Sequence, residues 1–541
     1  MQIAKLIGGP GTGKTRELLQ IMTRALEASG ADPYSVGFVS FTRTARREAS
    51  GRAGMIFDIP PQDLERKGWF RTLHSCCYQL LGVQKGELLT DDADSRKWLA
   101  NVFGQPVEPA QYEGDVPERW RAERIGQALG YWDIARARFQ NFSDVWKEQY
   151  SYGALWDQDN MRKIVEKYED AKRRDGRLDF TDLMLRYVGV HYGKVDGPVI
   201  VEPMGLIPAV EIWFYDEAQD GSKLNFFVFE RLTRNAKWVY LGGAPFQSIY
   251  EFAGSDPNQF LSYHCDKQQT MPHSWRCPKP ILELGENIIS DTAEYFDRGI
   301  TPAEHEGTIR ERELISSSMA QIDPHDEWLV LARANFQVDE LSDLLDVDEK
   351  PWTSLRREQR CPAQIRRVKT LLELREGKTI GGDQWGDLLE IVKTTTPGGE
   401  RLLAHGTKKR FENARERAEA NVSLANVALY GGTEALVNVI ADRAEWLVFE
   451  GGKQLYGLSQ LIRKWGAELV ERPKIRVGTI HAAKGAEADN VFLLKSITPR
   501  VLESIAKGGA DAERRVWYTG VTRARRRLVL VDEPGRTNMA L

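Results

Sequence analysis

GGPGTGKT, Gly8 to Thr15, is the stretch on which the fold turns. It fits the pattern G-x-x-x-x-G-K-[ST], follows the apolar run IAKLI and precedes TRELLQIMTRALEA, an amphipathic helix. A strand, a glycine-rich turn and a helix in that order make a phosphate cradle. The glycines let main-chain N–H groups converge on phosphate oxygens, and the helix N-terminus adds a favourable dipole. The expected nucleotide contacts are Gly8, Gly9, Pro10, Gly11, Thr12, Gly13, Lys14, Thr15 and Arg16. Lys14 can reach the β- and γ-phosphates, and the Thr15 hydroxyl can hold Mg²⁺.

The second half of such a site is EIWFYDEAQD, Glu211 to Asp220. An apolar run delivers two adjacent carboxylates at a strand end. Asp216 can join the Mg²⁺ shell, and Glu217 can orient and deprotonate an attacking water. Mg²⁺ keeps several waters and uses few protein carboxylates, so one or two suffice. A third stretch, LGGAPFQSIYEFAG, Leu241 to Gly254, ends a β-rich lead-in with two glycines and then offers a glutamine, a tyrosine and a phenylalanine. Glycines after a strand suggest backbone bent around a ligand, and the aromatics suggest stacking.

At 541 residues the chain is too long for one core, so several domains are expected. An apolar fraction of 42% and a charged fraction of 28% are ordinary for a soluble protein. No apolar run reaches the roughly 18 residues of a membrane span, and MQIAKLIGG lacks signal-peptide architecture. Five cysteines without a CxxC pair point to a reducing compartment. HSCC at 74–77 has no second ligand pair at zinc spacing. Net charge is −4, so any nucleic-acid groove must be lined locally. Of the fifteen tryptophans, Trp98, Trp120, Trp132, Trp146 and Trp156 crowd one segment and read as packing.

From these motifs outward the chain resembles the superfamily 1 helicases of the UvrD/Rep/PcrA type. FTRTARREASGR (41–52) is similar to FTNKAAxEMxxR, RTLHS (71–75) to GTFHS, and LDFTDLM (178–184) to LDFDDLL. DEAQD matches DExQD, QSIYEFAG (247–254) matches QSIYxFxGA, and HSWRCPKPI (273–281) is similar to NYRSxxxI. TIHAAKGAEADNVFL (479–493) is similar to TIHxAKGLEFDxVFL, and RRVWYTGVTRARRRLVL (514–530) to RRLxYVAxTRAxxxLxL. Eight motifs in order are far more specific than one phosphate loop.

The resemblance implies a role for each matching residue. Gln247 would contact the γ-phosphate, while Tyr250 and Phe252 stack on bases of a single strand. Arg276 and Arg523 would reach the γ-phosphate from the opposite lobe, Trp275 would lie against the nucleotide base and Glu487 would contact the ribose. Lys14, Glu217, Gln247, Arg276 and Arg523 form the implied catalytic set. Further contacts to the strand would come from Phe41, Thr42, Thr72, His74, Thr479 and His481. The implied ligands are ATP, Mg²⁺, single-stranded DNA and tailed duplex DNA, with no membrane. The implied protein is a monomer acting in the cytoplasm, either nucleoid-associated or virus-encoded.

The implied architecture is α/β, with two RecA-like P-loop domains of parallel sheet, each carrying a mainly helical insertion. The first core would take 1–75 and 172–268, with an insertion over 76–171. The second would take 269–345 and 473–541, with a short insertion over 346–472. The insertions could cap the cores or engage duplex, and both readings stay open. The implied activity is ATP-driven translocation along single-stranded DNA with duplex unwinding, 3′ to 5′, because TIHAAKG resembles the UvrD branch. Two rivals remain: the same motor acting on RNA or displacing bound proteins, and an ATP-gated clamp that hydrolyses poorly.

Three departures from the family pattern matter. An adenine-reading glutamine normally lies well upstream of the phosphate loop, and only seven residues precede Gly8, so loose base selectivity is expected. The family's Gly-Asp before QSIY is Gly243-Ala244, which removes an acidic group and could weaken coupling. Ala486 and Ala488 replace bulkier residues around Glu487, thinning its support.

Overall fold

IAKLI is a strand, as its apolar run predicts, and it sits inside a parallel sheet. β1 (Gln2–Ile7), β2 (Val36–Ser40), β3 (Trp69–Thr72), β4 (Ile212–Asp216), β5 (Trp238–Gly243) and β6 (Lys267–Thr270) are ordered β3-β2-β4-β5-β1-β6. All five neighbour pairs are parallel. The inner strands β2 and β4 are buried along their whole length, as expected where helices cover both faces. The computed structural model describes residues 1–29, 32–40, 43–107, 124–150, 157–193, 195–312, 314–356, 362–441 and 448–541.

A second six-stranded sheet contains β7 (Thr308–Arg312), β8 (Trp328–Ala332), β9 (Trp352–Ser354), β10 (Ile475–Thr479), β11 (Ala488–Leu494) and β12 (Ala524–Val531). Its order is β7-β12-β11-β8-β10-β9. Two parallel sheets of this kind are the RecA-like pair that the motif order implies. The expected strands EWLVLA, DNVFLL and RRLVLV are β8, β11 and β12.

Contacts divide the chain into two compact units. The first comprises Met1–Ile315, Leu331–Asn335 and Thr479–Leu541; the second comprises Ser316–Val330 and Phe336–Gly478. In the second unit the helices Pro362–Arg375, Gly382–Ile391, Glu434–Ala441 and Gly452–Trp465 enclose their own core around Trp385, Leu388 and Phe449. Among the described residues no helix is long and apolar enough to cross a membrane.

In the first unit the expected tryptophan-rich insertion is helical over Ala93–Phe103, Arg124–Arg138, Phe142–Tyr150 and Gln158–Asp175. Trp120 and Trp156 lie outside the described residues. Trp132 is fully buried, in one continuous core with Trp213 and Tyr215 of the first sheet. An ionic cluster adds to this join. Arg136 and Lys172, 2% and 3% exposed, lie among Asp133, Glu169, Asp179 and Asp182. Asp179 also caps the helix Phe180–Val188, with Asp182 completing a reciprocal capping box. Burial and the neighbouring Asp179 charge push the Asp182 carboxyl up to about 6. Glu169, Asp179 and Asp182 stand close enough to hold a metal, but Arg136 and Lys172 already pair with all three, which is what partly buried carboxylates require.

Candidate active site

Registers in the first sheet bring three loops to one edge. Ile7 pairs with Gly243, Tyr215 with Leu241, and Ser40 with Asp216. The phosphate loop, the Asp216–Glu217 pair and the turn Pro245–Gln247 therefore leave the carboxyl ends of β1, β4 and β5 side by side. That edge is where open α/β sheets bind ligands. The Gly8 N–H donates to the Gly243 oxygen at 3.0 Å. Gly243 is needed there because a Cβ would come within 2.7 Å of the Phe260 ring.

The phosphate loop runs into the helix Lys14–Ser29. Gly11 has φ +66°, and a Cβ on it would sit 2.2 Å from that of Arg276. The strand His273–Pro278 lies directly on the loop: Ser274 Oγ donates to the Pro10 oxygen at 2.7 Å, and the Trp275 N–H to the Gly11 oxygen at 2.9 Å. Lys14 is buried and its Nζ donates to the Gly9 oxygen at 3.2 Å. Burial lowers the Lys14 pKa; Glu217 and Asp216 oppose the shift, and Arg276 and Arg523 add to it. One lysine thus feels both carboxylates and both arginines. Arg16, on the first turn of the helix, is exposed.

Thr15 Oγ1 donates to Asp216 Oδ2 at 2.6 Å. Burial and the adjacent Glu217 charge push the Asp216 carboxyl up to about 7. A hydroxyl and a buried carboxylate crowded by a second carboxylate are a hard-oxygen donor set, and Mg²⁺ fits it. Glu217 has φ 54° and ψ 37°, a left-handed conformation that costs a non-glycine residue roughly 1–3 kcal/mol. Burial acts to raise its pKa, but Lys14, Lys484, the Gln219 amide and Arg523 outweigh it and hold Glu217 ionised.

Gln219 and Ala244 complete this side. The Gln219 amide donates to Glu217, and its Oε1 accepts the Ala244 N–H at 2.8 Å. The Ala244 methyl is fully buried. Gln247 is buried, and its amide nitrogen has no hydrogen-bond partner among the described residues.

The arginines come from distant sequence. Arg276 Nε donates to Glu487 Oε2 at 2.5 Å and its Nη1 to the Thr522 oxygen at 3.4 Å. Burial acts to raise Glu487, but Arg276 and Arg525 outweigh it and hold the carboxyl low. Arg523 is buried; its Nε donates to the Thr519 oxygen at 2.9 Å and its Nη1 to the Ala486 oxygen at 3.3 Å. Burial, with Arg276 close by, pushes it down to about 9. Trp275 is 72% exposed beside Gly13, its ring edge-on to His273.

The aromatic loop lies next to this cluster. Tyr250 is 9% exposed, with Lys484 Nζ 4.9 Å over its ring. Phe252 is half-buried, with ring centroids 6.0 Å from Tyr250 and 5.6 Å from His481. Thr479 is buried and its hydroxyl accepts the Ala482 N–H. Thr72 caps the helix Leu73–Leu81, and His74 stands edge-on to Phe180. Phe41 and Thr42 lie outside the described residues.

Two participants carried no assigned role in the sequence. Lys484 Nζ donates to Asp220 Oδ1 and to the Gln247 oxygen, each at 2.6 Å. Asp220 ends DEAQD and Lys484 belongs to TIHAAKG, so both stood inside matched motifs. Their pairing had no signal in the spacing.

Two family models match the chain: the UvrD/REP helicase N-terminal domain over residues 2–268, and the UvrD-like helicase C-terminal domain over residues 443–532. Curated proteins that it resembles include the ATP-dependent DNA helicase PcrA of Staphylococcus aureus strain Mu50 and that of Staphylococcus epidermidis strain ATCC 12228. Each is 22% identical over 314 residues, covering 56% of this chain and 40% of the relative. The chain thus spans well under half the length of the curated relatives it matches.

Proposed function

The chain belongs to the UvrD/Rep/PcrA type of superfamily 1 helicases, and from that premise we propose an ATP-driven motor that moves 3′ to 5′ along single-stranded DNA and unwinds duplex. One observation carries the reading. Glu217, Arg276 and Arg523, spread over three hundred residues of chain, all bear on Lys14, the strand that carries Arg276 is hydrogen-bonded to the phosphate loop, and the aromatic loop begins three residues after Gln247. Fuel chemistry and strand contact therefore share one loop.

In this reading the phosphate-loop N–H groups and Lys14 bind the triphosphate of ATP, and Trp275 stacks on the base. Thr15 and Asp216 would hold Mg²⁺, which neutralises charge on the phosphates when bound. Glu217, kept ionised, orients water and takes its proton. Gln247 turns its unpaired amide to the reacting phosphate, and Arg276 and Arg523 stabilise the charge that spreads over it. Glu487 holds Arg276 until the nucleotide draws it in. Two cores, 1–75 with 172–268 and 269–345 with 473–541, would close on ATP and reopen after hydrolysis, with 76–171 and 346–472 as their insertions. The motor acts as a monomer in the cytoplasm.

Phe252 gives the strand a flat ring that ignores sequence. Phe252→Ala is expected to weaken binding of a labelled oligothymidine by about 1–3 kcal/mol, as for the loss of one stacked base, while ATP binding is unchanged. Equal strand affinity by fluorescence anisotropy would remove Phe252 from the track.

Unwinding of 3′-tailed against 5′-tailed duplexes, with and without ATP, tests the whole reading. ATP-dependent opening of the 3′-tailed duplex alone is expected. Opening of the 5′-tailed duplex alone would reverse the polarity. Stronger stimulation of ATPase by RNA than by DNA would move the motor to RNA, and turnover near zero on saturating DNA would leave a clamp.

A further inference from the structure

Glu251 stands between Tyr250 and Phe252, and nothing in the functional reading uses it. Its main-chain oxygen accepts from Arg138 Nη2 at 3.1 Å, while its carboxylate pairs with Arg515. Arg515 is 4% exposed and lies on the helix Ala510–Val521. Its Nη1 also donates to Glu294 Oε2 at 3.2 Å.

That helix is held along its length. Glu513 takes Arg333 in two hydrogen bonds of 2.8 and 3.0 Å, and Tyr518 accepts from Arg298 at 3.1 Å. Arg298 in turn lies 4.6 Å over the ring of Phe246, the residue before Gln247. Arg523 is anchored to the helix end through the Thr519 oxygen. Arg515 and Thr519, which holds Arg523, are four residues apart on this helix, about 6 Å along its axis. A rod that meets the aromatic loop at Arg515 and holds Arg523 beyond its C-terminal end carries displacement between them, since packed helices move as units rather than bend.

We propose that the Glu251–Arg515 ion pair couples strand occupancy of the Tyr250–Phe252 loop to the placement of Arg523. Arg515 and Glu251 are then positioning residues for hydrolysis. The proposal rests on the motor reading above and adds the route by which the strand accelerates turnover. A base on Phe252 shifts the loop, the ion pair passes that shift to the helix, and the helix sets Arg523.

Glu251→Gln tests this, because it removes the charge and keeps the shape, and Glu294 still holds Arg515. DNA-free hydrolysis and the oligothymidine concentration for half-maximal effect should stay within about twofold, while the maximal stimulated rate falls about tenfold, within the 5–150-fold usual for coupling between sites. Arg515→Gln should reproduce the loss, the double variant should be no worse than either single one, and Glu251→Asp should restore most of the stimulation. Stimulation preserved in both Glu251→Gln and Arg515→Gln would overturn the coupling alone. A change confined to half-saturation would also overturn it, assigning Glu251 to strand binding. Absence of stimulation in the unsubstituted protein would overturn the motor reading and the coupling with it.

Discussion

Arg523→Gln is expected to cut ATP hydrolysis on saturating single-stranded DNA by about 10³-fold or more, within the range for arginines that neutralise a transferred phosphoryl group. Both hydrogen bonds of its guanidinium go to main-chain carbonyls. Burial and then its neighbour Arg276 raise the cost of its charge, and its pKa is pushed down to about 9. A buried cation whose hydrogen bonds among the described residues go to neutral acceptors is poised for an anion. Glutamine can still donate to a carbonyl, so the fold should survive, and the thermal midpoint should not fall. Single-turnover phosphate release measures the effect. A loss below about tenfold would place Arg523 outside the transition state, since general positioning alone accounts for losses of that size.

Glu217→Gln should retain ATP binding and lower hydrolysis by about 10²–10⁴-fold, the usual contribution of a general base. Lys14, Lys484 and Arg523 hold this carboxylate ionised against its burial. The amide keeps a similar shape in the left-handed backbone but cannot take a proton. Equilibrium binding of a fluorescent ATP analogue and steady-state phosphate release separate the two properties. Turnover within about threefold of the parent would reject the assignment, because no general base contributes so little. The same variant should still grip single strands through Phe252, since the aromatic ring lies outside the carboxylate pair.

The phosphate loop was legible because its chemistry needs consecutive residues at fixed spacing, and steric limits on Gly11 leave few alternatives. DEAQD was legible for the same reason: a buried strand, IWFYD, must end where its carboxylates meet water and ligand. LDFTDLM was legible as a motif, yet its two aspartates act by capping a helix and by pairing with Arg136 and Lys172, residues that no spacing rule picks out. The ion pairs that tie the site together, Lys484 with Asp220 and Arg515 with Glu251, each join residues 264 positions apart. Nor could the pattern of residues foretell that Tyr250 lies under Lys484 while Phe252 stays half open.

By itself, the order of amino acids determined the phosphate cradle and the buried strands that carry it, because these follow from local sterics and from apolar runs that must leave water. The two α/β halves were implied by the resemblance of its ordered motifs to a known family. Only the tertiary structure decided which charges meet, which arginine donates to main-chain carbonyls and which carboxylate is held ionised. Those properties depend on distance and desolvation, and both come into being only when remote segments are folded against one another.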